Sequence, residues 1–133
     1  MFSKFSDHGI TVNSIFYPTV EHYYQASKFK NVNYKEKIRT SVSPKRASEF
    51  GKSKDYGFKT NWNDIKLDIM TQALLCKFEQ HKDIRITLLN TKDKLLIEHS
   101  PYDNFWGIGR TDIGLNYLGT LLMRTRVHFQ NNE

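Results

Sequence analysis

Glu21, Gln25 and Lys28 place a carboxylate, a primary amide and an amine in one short stretch, four and then three residues apart. On a helix turning about 100° per residue, that spacing stacks all three in one column. Such a column can grip the hydroxyls of a sugar or do acid–base work on it. The competing reading is a solvated Glu/Lys column bordered by core tyrosines. A second concentration of chemistry lies near the C-terminal end, where residues 100–110 read Ser-Pro-Tyr-Asp-Asn-Phe-Trp-Gly-Ile-Gly-Arg. An Asp, a Trp, an Arg and two glycines in a loop that follows a strand are the make-up of a binding loop. Cys76 is alone, and the five His are scattered without metal-ligand spacing, so neither a disulfide nor a structural zinc is expected.

The elements that must position these groups follow from the pattern of the chain. Ile10-Thr11-Val12 and Ile15-Phe16-Tyr17 are β-prone runs around Asn13-Ser14, which predicts a small hairpin. Pro18 and Thr19 then open a helix over about 19–30, with Thr19 as N-cap and Val20, Tyr23, Tyr24 and Ser27 on its inward face. A break at 31–33 precedes a short charged helix over 34–40. Ser43-Pro44 opens the next helix, as N-cap and first helical residue, and Gly51 ends it. A basic polar loop spans 52–60. A long helix over about 63–80 shows two apolar faces, which predicts a central, largely buried element, and the same periodicity puts Trp62 in the core. Asp83 is the expected cap of a helix over 84–89, and residues 94–98 are the best strand candidate after the hairpin. A last helix is expected over about 112–129, with Leu115, Leu118 and Leu122 facing inward and Gly119 permitting close approach.

The chain has 133 residues and a formal net charge of +6. That length supports one domain with a hydrophobic core. No run approaches the roughly 18 apolar residues of a membrane span, and Met1-Phe2-Ser3-Lys4-Phe5 lacks the apolar centre of a signal peptide. Together with the single cysteine, this gives a cytoplasmic expectation. Residues 28–59 hold ten Lys/Arg against Glu36, Glu49 and Asp55, so that window carries +7 and the rest of the chain −1. Such a window attracts phosphates, on a nucleotide or along a nucleic acid; a solvated lysine surface is the alternative. No helix-turn-helix or zinc-finger pattern turns that attraction into base reading.

Three stretches taken together are more specific than any one. They are Tyr17-Pro18-Thr19-Val20-Glu21-His22-Tyr23-Tyr24-Gln25-Ala26-Ser27-Lys28-Phe29, then Ala73-Leu74-Leu75-Cys76-Lys77-Phe78-Glu79-Gln80-His81, then Asp103-Asn104-Phe105-Trp106-Gly107-Ile108-Gly109 with Gly114-Leu115-Asn116-Tyr117-Leu118-Gly119-Thr120-Leu121-Leu122-Met123. In order and spacing the chain resembles the NADAR family of YbiA-like N-glycosidases, from about Phe2 to Arg126. The resemblance implies a predominantly helical α+β fold over 1–133, a single domain whose small sheet (the hairpin plus a strand near 94–98) packs against helices. It implies cleavage of an N-glycosidic bond to ribose without a cofactor. Some members act on ribosylamino-pyrimidine phosphates of riboflavin synthesis. Others remove ADP-ribose from modified guanine, as antitoxins against ADP-ribosyltransferase toxins. A departure is Ser3-Lys4-Phe5 where members commonly have Ser-Asn-Phe after an additional strand; Lys4 puts one ligand contact in doubt and adds a positive charge.

N-glycoside cleavage builds oxocarbenium character at the anomeric carbon. Under the resemblance, Glu21 is the first candidate for the carboxylate beside that charge. Lys28 is the second catalytic candidate, as a stabiliser of an opened sugar or a Schiff-base nucleophile, and Asp103 is the third. Direct hydrolysis and a lysine adduct both stay open. Substrate contacts are expected from Lys4, Phe5, Gln25, Lys45, Arg46, Trp62, Trp106, Gly107 and Asn116. Trp106 would stack on the base or cover the ribose, and Gly107 would bring a backbone amide to phosphate. Asn116 either contacts ligand or ties loop to helix, and Arg46 either binds phosphate or is surface charge. The +7 window favours ADP-ribosylated guanine in DNA, RNA or nucleotides, with a cognate ADP-ribosyltransferase as partner. The riboflavin-intermediate hydrolase and a non-catalytic ADP-ribose-binding module are the alternatives.

Overall fold

The computed structural model describes residues 8–96 and 117–132. Among them are six helices and a two-stranded antiparallel sheet, so the chain is α+β and mostly helical. The described residues fall in two compact units, 8–80 and 81–96 with 117–132.

The first unit opens with β1 (Ile10–Val12) and β2 (Ile15–Tyr17), paired Ile10 to Tyr17, Thr11 to Phe16 and Val12 to Ile15. Asn13 and Ser14 have φ of 52° and 67°. Two consecutive left-handed residues make the tight turn whose twist matches that of the strands. The side chain of Gln80 completes the backbone bonding of β1: Thr11 N–H donates to its Oε1 at 2.9 Å and its Nε2 donates to Thr11 O at 2.9 Å.

Helix α1 (Val20–Ala26) begins where Thr19 Oγ1 accepts the His22 N–H. It packs against α2 (Val32–Arg39), α3 (Pro44–Phe50) and α4 (Trp62–Gln80). Every residue of α1 except Glu21 is buried. The centre of this unit is therefore α1, not the long helix. In α4 the buried residues Trp62, Met70, Ala73, Leu74, Lys77 and Phe78 lie along one stripe, while Leu67 is exposed and Ile65, Ile69 and Cys76 are half-buried. Of the two apolar faces read from the sequence, the one with Met70, Leu74 and Phe78 is buried apart from Leu67, while the one with Trp62 and Ala73 is only half-buried at Ile65, Ile69 and Cys76.

Helix α1 is also shorter than its periodicity predicts. It stops at Ala26, and Ser27 and Lys28 form a turn in which Lys28 N–H bonds to Gln25 O at 3.2 Å and Phe29 N–H to Ala26 O at 3.3 Å. The chain then runs beside residues 56–59. Lys30 N–H bonds to Gly57 O at 3.0 Å, Asn31 N–H to Tyr56 O at 3.1 Å and Lys59 N–H to Lys28 O at 2.8 Å. Buried Phe29 holds this junction, edge-on to Tyr34 and Phe58. These cross-links take the donors and acceptors that a longer helix would have used internally.

The second unit contains α5 (Lys82–Leu89) and α6 (Tyr117–Asn131). Its first helix starts two residues earlier than expected: His81 is the N-cap position and Asp83 sits in the first turn, where its charge suits the helix dipole. Residues 94–96 form no strand; 97 and 98 lie outside the described residues. Buried Arg126 donates instead to Lys94 O at 2.9 Å and Thr91 Oγ1 at 2.7 Å, fixing this segment to α6. Leu118 and Leu122 face inward as expected, with Gly119 buried beside them. Leu115 and the expected start of this helix at 112 lie outside the described residues. No helix among the described residues is long and apolar enough to cross a membrane.

Candidate active site

Glu21 is the polar opening of an otherwise buried helix. It stands in the first turn of α1, half-buried, where the helix dipole favours a carboxylate. One turn on, buried Gln25 donates from Nε2 to Glu21 Oε2 at 2.6 Å. Oxygen faces nitrogen in this contact, so the bond itself fixes the amide's orientation. A charge-assisted bond of this length favours the ionised carboxylate and holds one of its oxygens in place.

Lys28 lies in the turn beyond α1, half-buried, and its Nζ donates to Gly51 O at 3.3 Å. The same nitrogen stands 5.7 Å from the ring centre of Tyr24 and 6.0 Å from that of Trp62. Those rings meet edge to face, with centroids 5.0 Å apart. A carbonyl at a helix C-terminus and two aromatic faces all stabilise an ammonium. Trp62 is buried at the start of α4, so its periodicity reading as a core residue holds, and it adds a π face to Lys28.

Gly51 joins the two halves of this cluster. Its carbonyl accepts from Lys28, and Gln25 packs on its Cα. The Oε1 of Gln25 is buried there and meets no hydrogen-bond partner among the described residues. Tyr34 Oη donates to the neighbouring Phe50 O, so two side chains grip the end of α3.

The structure thus brings together Glu21, Gln25, Lys28 and Trp62 of the sequence-predicted residues. Lys45 and Arg46 are exposed on α3, where Ser43 and Pro44 form the expected start. Arg46 pairs with Glu49 on its own helix at 3.4 Å, and its guanidinium stands 5.9 Å from the Phe50 ring. Lys4, Phe5, Asp103, Trp106, Gly107 and Asn116 lie outside the described residues. Sequence reasoning missed Tyr24 and Gly51 as members of the cluster. Tyr24 carried a signal, an aromatic one turn before Lys28, but read as core; Gly51 read only as a helix terminator. A groove of about 400 Å³ in the second unit is lined by Leu89, Lys92, Asp93, Arg126, Val127 and Gln130, none of them a predicted site residue.

Comparison with known proteins adds three relatives and a family. The NADAR domain model matches residues 1–130. The N-glycosidase Npun_R5314 of Nostoc punctiforme is 43% identical over 133 residues, covering 98% of this chain and 85% of its own. The NMR structure of the E. coli protein YbiA superposes with a TM-score of 0.88 at 40% identity, over 98% of this chain and 78% of that one. The chloroplastic riboflavin biosynthesis protein PYRR of Zea mays is 41% identical over 140 residues, covering 94% of this chain but 22% of the maize protein.

Proposed function

The chain belongs to the NADAR family, and from that membership we propose that it is an N-glycosidase cleaving the bond between ribose and a base nitrogen, with ADP-ribosylated guanine in nucleic acid or nucleotides as its substrate. The observation that carries this reading is the held carboxylate: Glu21 alone opens from buried α1, and Gln25 bonds to its Oε2 at 2.6 Å. The Nostoc relative is named an N-glycosidase.

In this reading the anomeric C–N bond breaks, and Glu21 faces the positive charge that develops on the sugar. A water oxygen adds to the anomeric carbon and its proton ends on the departing base. Lys28, held as an ammonium, stabilises negative charge on that base or holds a phosphate. On the adduct route a deprotonated Lys28 attacks the anomeric carbon as the bond to the base breaks, and the base leaves with a proton from the amine; the ring C–O bond of the resulting glycosylamine then opens to an imine, which water hydrolyses to free sugar and lysine. Borohydride distinguishes the two: reduction of the imine fixes the opened sugar, with its phosphates, to Lys28 as a secondary amine with the corresponding mass gain, whereas direct hydrolysis leaves the protein mass unchanged. Asp103 and Trp106 complete the proposed machinery as second acid–base group and stacking surface.

The +7 charge of residues 28–59 supports a substrate borne on a polyanion. The second reading, a hydrolase of ribosylamino-pyrimidine phosphates, is favoured by the likeness to the maize riboflavin protein. Incubation with an oligonucleotide carrying ADP-ribosylated guanine tests the first reading: free ADP-ribose is the expected product, and Glu21→Gln lowers its rate about 10²- to 10⁴-fold. Turnover of the pyrimidine phosphate with no release of ADP-ribose replaces the first reading with the second. Binding of ADP-ribose with no cleavage of either substrate makes the protein a binding module.

A further inference from the structure

We propose that Gln25 and Gly51 are positioning residues: Gln25 aims the Glu21 carboxylate instead of contacting substrate, and Gly51 is glycine because only a bare Cα leaves room for Gln25 to do so. This rests on the role given to Glu21 above.

Three observations carry it. First, Gln25 is 5% exposed and its amide nitrogen donates to Glu21, so the group read from sequence as a sugar contact is turned inward. Secondly, Gly51 has φ −67° and ψ −9°, ordinary right-handed backbone that any residue adopts. The conformational reason for a glycine at a helix end is therefore absent. What remains is space: a Cβ at Gly51 would stand 1.9 Å from Gln25 Oε1 and 2.7 Å from its Cδ. Thirdly, the crowded end of Gln25 is an acceptor that meets no hydrogen-bond partner among the described residues. Its other end makes the only such bond shown for this amide, to Glu21. An added Cβ forces the amide to rotate or withdraw, and either movement takes Nε2 off the carboxylate. Because Gly51 O also accepts from Lys28 Nζ, one residue at the end of α3 sets both candidate groups.

The test is a double-mutant cycle read in two ways. In ¹⁵N-labelled protein without substrate, the Gln25 side-chain NH₂ resonances move as Glu21 titrates; Glu21→Gln and Gly51→Ala each abolish that movement. On the ribosyl substrate that the wild type cleaves, Gly51→Ala lowers kcat about 10- to 100-fold with KM little changed, as a displaced catalytic group does. It also moves the acid limb of the pH profile upward, because the carboxylate has lost a donor. In a Gln25→Ala background the same Gly51→Ala change costs less than about threefold, since the clashing atoms are gone. If Gly51→Ala alone fails to fold, the double variant folds. Insensitivity of the Gln25 NH₂ to Glu21, additive effects in the cycle, or failure of the double variant to fold overturns the proposal. Full activity of Glu21→Gln instead overturns the catalytic reading and leaves the NMR coupling intact, so the two failures are told apart.

Discussion

His22, beside the candidate carboxylate, shows how a single buried side chain ties the site to pH. It is 1% exposed, with Nε2 3.0 Å from Ser41 O and Nδ1 2.8 Å from Thr19 Oγ1. A carbonyl only accepts, so Nε2 carries the hydrogen and Nδ1 accepts from the Thr19 hydroxyl. That hydroxyl oxygen in turn accepts the His22 N–H at 3.1 Å, capping α1. Burial lowers the pKa of His22 below the ordinary imidazole value, and the bond to Ser41 offsets part of that. Between the lowered folded value and about 6.5, the unfolded chain binds the proton and the folded chain does not. Stability is therefore complete above about pH 6.5 and falls as pH drops through that window. The urea midpoint should hold level from pH 8 to 7 and decline below about 6.5, and His22→Gln should flatten the decline. A midpoint that does not change between pH 7 and 5 would count against a neutral buried imidazole. The sequence made the Glu21–Gln25 pairing legible, because four residues on a helix always bring side chains together. It placed Lys28 correctly in the cluster for the wrong reason. Spacing assumed a helix through 30, whereas the ammonium arrives from a turn and is held by Gly51 O.

Short elements with their own chemistry were readable, and those defined by distant partners were not. Asn13-Ser14, Thr19 and Ser43-Pro44 each signal a turn or helix start through local bonds, and each appears where expected. Residues 94–96 have the composition of a strand, but Arg126 takes the Lys94 carbonyl. The end of α1 was equally hidden, because the bridge from 28–31 to 56–59 depends on a loop with no periodicity. Gly57 makes that bridge possible: its φ is +73°, and a Cβ there would stand 2.9 Å from the Cβ of Lys30. Gly57→Ala should cost about 1–3 kcal/mol, from left-handed backbone and crowding together. Urea unfolding measures this, and a loss under about 0.5 kcal/mol would show that the loop can detach without consequence. Because Lys59 N–H bonds to Lys28 O in the same bridge, the substitution should also lower kcat.

Charge is the property that belongs to the chain as a whole, and its distribution carries a cost. None of the ten basic residues in 28–59 is buried, and Lys30, Lys37, Lys45, Arg46, Lys52 and Lys54 are exposed. Where they crowd, they repel: burial first, then Lys35 and Lys30, lower the pKa of half-buried Lys59. A lysine disfavoured in this way weakens the fold at neutral pH, and the loss is recovered as pH rises through the lowered value. Lys59→Gln should therefore raise the urea midpoint at pH 7, with a smaller gain in 0.5 M salt as the repulsion is screened. If the window serves a polyanionic substrate, the same change should raise KM for an ADP-ribosylated oligonucleotide. That KM should rise with salt along a straight log–log line, whose slope falls by about one for the lost phosphate contact. The KM for a ribosylamino-pyrimidine phosphate, a single small anion, should respond far less to salt. Equal salt slopes for the two substrates would separate the basic window from substrate choice, leaving Lys59 as a charge that the fold carries at a loss.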